Sequence, residues 1–360
     1  DALRAPGDAL DCGNSGTSLR LFAGILAGRP VTATLDGDAS LRGRPMARII
    51  EPLRSMGATI EGSDGGSHAP LTVTGRSPLR AIDWSTPVPS AQVKSAILLA
   101  GLRAQGVTTV RESIATRDHT ERMLRARGVP VRTRHDGDAG AVIEMEGGAT
   151  MQAMHQQVPG DPSAAAFWLV AGAIHPASEL RLRGVGVNPT RRAVIDLLSR
   201  MGAAIDEMPP SAAAADGDGE PIADLKVRSS ELRAIELDPA ETAAAIDEIP
   251  VLCLAATQAR GRSVIRGAGE LRHKESDRIA GIVDGLAALG ARIQADGDDL
   301  VIDGPTPLAG AVVDSRSDHR LALTFAIAGL VATGHTTISD AACVAISYPT
   351  FFSDLERIRS

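Results

Sequence analysis

Two short stretches place acids and bases close enough to exchange protons. In RHKESDR (272–278), Lys274, Glu275 and Arg278 stand just ahead of IAGIVDGLAALG, where Ile279, Ile282, Val283, Leu286 and Leu289 recur at helical spacing. In AIDEIPVL (245–252), Asp247 opens another apolar helix. A carboxylate beside Lys and Arg in a water-excluded cleft can have its pKa moved far enough for general acid–base work at neutral pH. The same residues also read as solvated first turns, and Asp247 as a helix N-cap, a position that Asp favours.

The pattern extends along the chain. Polar residues gather at or just before helix starts: Asn14/Ser15/Thr17/Arg20, Ser90/Gln92/Lys94, Thr116/Arg117/His119, Asp247/Glu248, Lys274/Glu275/Arg278 and Asp318/His319/Arg320. A helix N-terminus presents unpaired N–H groups and partial positive charge, which suits anions. Arg and Lys there oppose the helix dipole, so several such violations suggest a common focus for an anion. The net charge is −7, so these cations are localised. The Gly-containing GNSGTS (13–18) can bind phosphate through backbone and hydroxyls, although it is neither a Walker A sequence nor GxGxxG.

A repeat positions these residues. A polar stretch, an apolar helix, a turn and a β-rich stretch recur at 13–35, 89–110, 160–182, 245–265 and 317–338. Ser15, Ala91, Asp161, Asp247 and Asp318 are equivalent points, at steps averaging about 75 residues. Four copies continue into a second helix ending at Gly57, Gly128, Gly202 or Gly290, where a C-cap needs positive φ. The unit is therefore β-α-β-α-β-β, its first helix buried and its second amphipathic. Residues 1–12 read as the tail of a unit whose helices are absent, and 349–360 begin a second helix without its strand. A sixth unit of about 75 residues is expected on the N-terminal side. A composition shift near VPGD (158–161) divides a first domain, 1–159, from a second, 160–360.

Other classes are disfavoured. The longest apolar runs, such as AILLAGL (96–102), are too short to cross a bilayer. Acidic balance and 2% aromatics argue against nucleic-acid binding. Cys12, Cys253 and Cys343 have no metal-ligand or disulfide spacing and are expected to be buried small hydrophobes, in keeping with a reducing cytoplasm. No leader pattern opens the chain.

The motifs together resemble the 5-enolpyruvylshikimate-3-phosphate (EPSP) synthase family of enolpyruvyl transferases. The matching stretches are LDCGNSGTSLRL, LDGDASLRGRPM, PVPSAQVKSAILLAG, TRDHTERML, VPGDPSAAAF, AIDEIPVL, ELRHKESDRI, SDHRLAL and ISYPTFF, in the family's order along essentially all 360 residues. The resemblance implies an α/β (α+β) fold: a two-domain inside-out α/β barrel of βαβαββ units, five of six present, closing over substrates. It implies transfer of the enolpyruvyl group of phosphoenolpyruvate to the 5-hydroxyl of shikimate 3-phosphate, with neither metal nor organic cofactor.

By the same resemblance, Asp247 falls on the catalytic aspartate that handles the hydroxyl proton, and Glu275 on the glutamate of proton transfer at the methylene. Arg44, Arg278 and Arg320 fall on arginines that clamp phosphoenolpyruvate, with Gly16, Gln92 and His319 beside them. Ser90, Ala91, Gln92, Thr116, Arg117, Asp247 and Lys274 fall on shikimate 3-phosphate contacts. There are departures. The family's opening PGDKSxSHR-like segment has no counterpart, so a separate N-terminal segment completing the first domain is expected. Ile346 stands where many members carry Lys, Ala91 where some carry Ser, and Glu270 where an Asn can contact shikimate 3-phosphate. Two alternatives are a related UDP-N-acetylglucosamine enolpyruvyl transferase and an anion-binding remnant that is inactive or needs a partner. Against the first, region 30–60 contains no Cys.

Overall fold

A computed structural model describes residues 3–137, 139–211 and 219–359. They form two compact units, one running to Gln156 and the other, in the main, from Gln157 onward. The content is mixed α/β, and one connection pattern recurs.

In the first unit, strands Leu10–Asp11, Thr32–Asp36, His68–Thr74 and Thr59–Ser63 lie in that spatial order. The first pair is parallel, and the helix between them, α1 (Gly16–Ala27), is the crossover. The other pairings are antiparallel. After α2 (Ala39–Arg42) and α3 (Ala47–Met56) the pattern repeats. Strands Asp83–Ser85, Val107–Glu112, Gly140–Glu146 and Val131–Asp136 form the second sheet, with α4 (Ala91–Gly101) and α5 (His119–Ala126) between them. Leu10–Asp11 pairs with Leu35–Asp36, so it forms the edge of the first sheet.

The second unit follows the same order. It contains α6 (Pro162–Ile174), α7 (Ala193–Arg200), α8 (Pro239–Ala244), α9 (Ile249–Thr257), α10 (Arg278–Ala288), α11 (His319–Val331) and α12 (Phe351–Arg359). Its sheets are Glu179–Gly186/Ile222–Arg228/Ala204–Met208 and Glu236–Leu237/Gly261–Ile265/Asp299–Gly304/Arg292–Asp296, plus the parallel pair Val312–Asp314/Thr337–Ser339.

Burial follows apolar periodicity. All nine residues of α9 are buried, and α6, α9 and α11 pack on one another. In the first unit α1 lies against α4 so closely that a Cβ on Gly24 would sit 2.3 Å from the Ala96 carbonyl oxygen. Leu19, Ile97 and Leu98 are fully buried there, each contributing about 1.5–3 kcal/mol. The second helices α3, α5 and α7 are amphipathic, with charged residues outward apart from the buried Glu121 of α5. Gly57, Gly128, Gly202 and Gly290 have φ of 109°, 79°, 93° and 93°, as the repeat requires.

One detail differs from expectation. Only Cys253 is buried, and burial pushes its thiol up to about 12; Cys12, just past the strand Leu10–Asp11, and Cys343, within the 3-10 turn Ala341–Ile346, are partly exposed. Among the described residues, no helix is long and apolar enough to cross a membrane, and no His/Cys/Asp/Glu group could hold a metal ion.

Asp224 is a buried carboxylate with a structural role. Its oxygens accept from Ser211 Oγ, Gly184 N (2.9 Å) and Arg181 Nη2 (2.9 Å), which together hold its pKa down at about 2. A depressed carboxyl stabilises the fold above its unfolded pKa, and that contribution is lost as pH falls through the folded value. Asp224→Asn is therefore expected to lower Tm at neutral pH, with the gap to wild type narrowing between about pH 4 and pH 2. Calorimetry across that range checks it, and a gap independent of pH would refute the assignment.

Candidate functional site

In the second unit, three helix starts bring their polar residues together. Asp277 caps α10 and Asp318 caps α11, each accepting a backbone N–H, at 3.0 Å and 2.9 Å. Arg278 then opens α10 as one of the largest fully buried side chains. A buried guanidinium at a helix N-terminus is doubly unfavourable, and carboxylates offset it. Asp318 accepts from Arg278 Nε at 2.7 Å and from Nη2 at 3.4 Å, and Glu275 Oε2 lies 2.5 Å from Nη2. The third nitrogen, Nη1, is buried, makes no hydrogen bond among the described residues and lies 3.7 Å from Asp247 Oδ1.

Asp247 is not the N-cap of α9; that position is held by Glu248, whose side chain makes no cap bond. Cations approach the Asp247 carboxylate from three sides: Arg278 at 3.7 Å, Lys274 at 3.9 Å and Arg320 at 4.0 Å. All three spacings exceed a hydrogen bond. Arg320 is fixed by donating from Nη1 to the Asp247 carbonyl at 3.0 Å. Lys274 is drawn to Glu270, 2.6 Å away. His319 is held below its usual pKa by burial and by the Arg320 charge. Behind these, Glu248 is buried and accepts from Ser163 Oγ, which accepts from Arg191 Nη2 at 2.7 Å. Burial pushes the Glu248 carboxyl up, against the pull of Ser163, Arg191 and Arg320. The exposed Ile346 ends the 3-10 turn Ala341–Ile346.

In the first unit, a second cationic group sits at the start of α1. Arg20 Nη1 and Arg44 Nη1 lie 3.0 and 3.4 Å from where a Cβ on Gly16 would be, so only glycine admits both guanidinium groups unhindered. Arg20 donates to Gln92 Oε1 and to the Pro45 carbonyl, and Arg44 to Asn14 Oδ1 and Ser40 Oγ. These acceptors are neutral. Burial, then the charges of Arg44 and Arg48, lower the Arg20 pKa. Such a cluster favours an arriving oxyanion. Gln92 also donates to Thr17 Oγ1 at 2.7 Å, and Ser90 caps α4 with Ala91 following.

The structure thus gathers Asp247, Lys274, Glu275, Arg278, His319 and Arg320 in one unit, and Gly16, Arg44 and Gln92 in the other. It corrects the helix-start grouping at Lys94, which is 1% exposed and paired with Glu112 (2.9 Å) and Glu121 (2.8 Å). The Thr116 hydroxyl donates to Glu112. Arg117 follows it on the exposed side of the loop. Arg20, grouped at a helix start but given no role, belongs to the cationic cluster. Ser163 and Arg191 received no role either. The repeat could have found Ser163, two residues past Asp161, whereas nothing in the local sequence marks Arg191.

The chain matches the family model for EPSP synthase (3-phosphoshikimate 1-carboxyvinyltransferase) over residues 1–355. It is 53% identical over 358 residues to the 3-phosphoshikimate 1-carboxyvinyltransferase of Gloeobacter violaceus, covering 99% of this chain and 81% of that protein. The enzyme of the same name from Bacillus cereus is 50% identical with the same coverage. Among solved structures, EPSP synthase from Acinetobacter baumannii superimposes with TM-score 0.89 at 43% identity, over 98% of this chain and 79% of that one. The enolpyruvyl transferase NikO of Streptomyces tendae shares the fold, with TM-score 0.68 at 19% identity over 99% and 95% of the two chains. The chain thus spans about four fifths of the length of the Gloeobacter and Bacillus enzymes and of the Acinetobacter structure.

Proposed function

The chain belongs to the EPSP synthase family, and on that premise we propose that it transfers the enolpyruvyl group of phosphoenolpyruvate to the 5-hydroxyl of shikimate 3-phosphate, releasing phosphate. One observation carries the reading: Arg278 Nη1 is buried beside Asp247 with no hydrogen bond among the described residues. An unsatisfied buried donor costs roughly 1–3 kcal/mol, so an incoming anionic oxygen is strongly favoured there.

Asp247 is assigned removal of the 5-hydroxyl proton as that oxygen attacks the enol carbon. Glu275 is assigned proton transfer at the methylene, and phosphate departs from the tetrahedral adduct. Arg278, His319 and Arg320 hold the oxyanions of phosphoenolpyruvate in the second unit, and Lys274 contacts shikimate 3-phosphate. In the first unit, Gly16, Arg44 and Gln92 take phosphoenolpyruvate oxygens, with Arg20 as an added member. Ser90, Ala91, Gln92, Thr116 and Arg117 form the shikimate 3-phosphate segment. Glu270, 2.6 Å from Lys274, tempers that cation's charge. No step needs a metal or organic cofactor.

The family premise extends to the fold: an inside-out α/β arrangement of βαβαββ units, five in this chain out of a six-unit plan, in a cytoplasmic enzyme with domains 1–159 and 160–360. The mutual packing of α6, α9 and α11 supports helices at the centre.

Phosphate release with both substrates tests the function. Turnover requiring shikimate 3-phosphate is expected, and turnover with UDP-N-acetylglucosamine instead would refute it. Arg44→Gln should raise the KM for phosphoenolpyruvate by about ten- to a hundredfold, since a charged hydrogen bond is lost. An unchanged KM would remove Arg44 from the site.

A further inference from the structure

The first unit contains a buried charge cluster that the proposed reaction does not use. Lys94 lies one turn into α4, past Ser90, Ala91 and Gln92. Its ammonium is 2.9 Å from Glu112 Oε2, 2.8 Å from Glu121 Oε1 and 3.3 Å from the Thr116 carbonyl oxygen, to which it donates. Glu112 ends its strand, and its carboxylate accepts from both the hydroxyl and the backbone N–H of Thr116, the latter at 3.2 Å. Both carboxylates and the ammonium are at most 1% exposed. A hydroxyl–hydroxyl contact of 2.7 Å between Ser95 and Thr120 braces α4 against α5 beside them.

Replacing ion pairs in a core with apolar groups is often neutral or stabilising, so stability alone does not account for this cluster. Its hydrogen bonds converge on one place, the backbone and hydroxyl of Thr116. We propose that Glu112 and Lys94 are positioning residues, which lock Thr116 and thereby aim the 116–117 segment at shikimate 3-phosphate. This rests on the proposed function, which puts that segment at the substrate. The Thr116 hydroxyl proton is committed to Glu112, so Thr116 contributes through the placement of the loop and leaves direct donation to its neighbours. Glu121 completes the charge balance: burial pushes its carboxyl up, against the pull of Lys94, so it holds its proton more readily than an exposed glutamate.

Glu112→Gln is the informative variant, because Glu121, 2.8 Å from Lys94, still offers the ammonium a carboxylate. The KM for shikimate 3-phosphate is expected to rise about tenfold, while the KM for phosphoenolpyruvate and kcat stay within about twofold. Thr116→Val should reproduce that split, and Thr116→Ser should restore wild-type values because it returns the hydroxyl. Arg117→Ala reports on the underlying reading. If Arg117→Ala raises the shikimate 3-phosphate KM while Glu112→Gln and Thr116→Val do not, the positioning role is refuted and the loop assignment stands. An effect of Thr116→Val without one of Glu112→Gln would make Thr116 a direct contact and also refute it. If none of the variants moves that KM, the loop is not at the substrate and both readings fall. A Glu112→Gln variant that slows kcat and weakens both substrates equally would indicate a merely structural cluster.

Discussion

Asp247→Asn is expected to lower kcat by about two to four orders of magnitude, the usual worth of a positioned general base, while the protein stays folded and binds shikimate 3-phosphate. Asparagine keeps the shape of the side chain but cannot accept the 5-hydroxyl proton at neutral pH. The fold tolerates the change because Asp247 does not cap α9, where Glu248 holds the N-cap position. Nor does any neighbouring cation depend on Asp247 alone. Arg278 has Asp318 and Glu275, Lys274 has Glu270, and Arg320 has the Asp247 carbonyl and Glu248 at 3.8 Å. Thermal melts and equilibrium binding of shikimate 3-phosphate separate chemistry from folding. A variant that turns over at near wild-type rate would move the base elsewhere, with Glu275 the next acid to test. A collapse in Tm would instead show that Asp247 is structural.

Much of this was legible from spacing. Apolar residues at helical period marked α9, α10 and α11, the glycines that end the second helices marked the turns, and repeat logic aligned Asp247 with Asp318. What escaped depends on partners far along the chain. Burial of Arg278 follows from Asp318, forty residues on, and a periodicity reading places any Arg on the solvated face. Lys94 was grouped with the anion-facing cations for the same reason; its counter-ions Glu112 and Glu121 come from a strand and a helix that only folding brings to α4. Thr116 was grouped with a helix start, and the direction of its hydroxyl is set by a carboxylate four residues earlier. Leu10–Asp11 is too short to show strand alternation, so its pairing with Leu35–Asp36 was not legible in the sequence.

Asp318→Asn should separate the two tasks that Asp318 performs. Its Oδ1 caps α11 by accepting from Arg320 N at 2.9 Å, and asparagine caps a helix about as well. Its charge neutralises Arg278, and an amide cannot replace that. Both side chains are at most 1% exposed, so removing one charge strands the other in a medium where breaking a buried pair costs on the order of 3–5 kcal/mol. Tm is therefore expected to fall by roughly 10 °C. Burial alone would raise the Asp318 pKa, but the hydrogen bonds and charge of Arg278 outweigh it and the net direction is down. Stability from a depressed carboxyl is present above its unfolded pKa and lost as pH falls through the folded one, so the gap between wild type and variant should close below about pH 4. The functional consequence runs through geometry. Arg278 freed from its Nε anchor no longer aims Nη1, and the KM for phosphoenolpyruvate should rise by at least about tenfold at temperatures where the variant remains folded. Asp277→Asn, which removes charge from the cap of α10 without touching the Arg278 guanidinium, serves as the control and should leave that KM unchanged. Melting curves against pH and initial rates against phosphoenolpyruvate decide the matter. A variant with wild-type Tm and KM would show that Glu275, 2.5 Å from Nη2, suffices to hold Arg278.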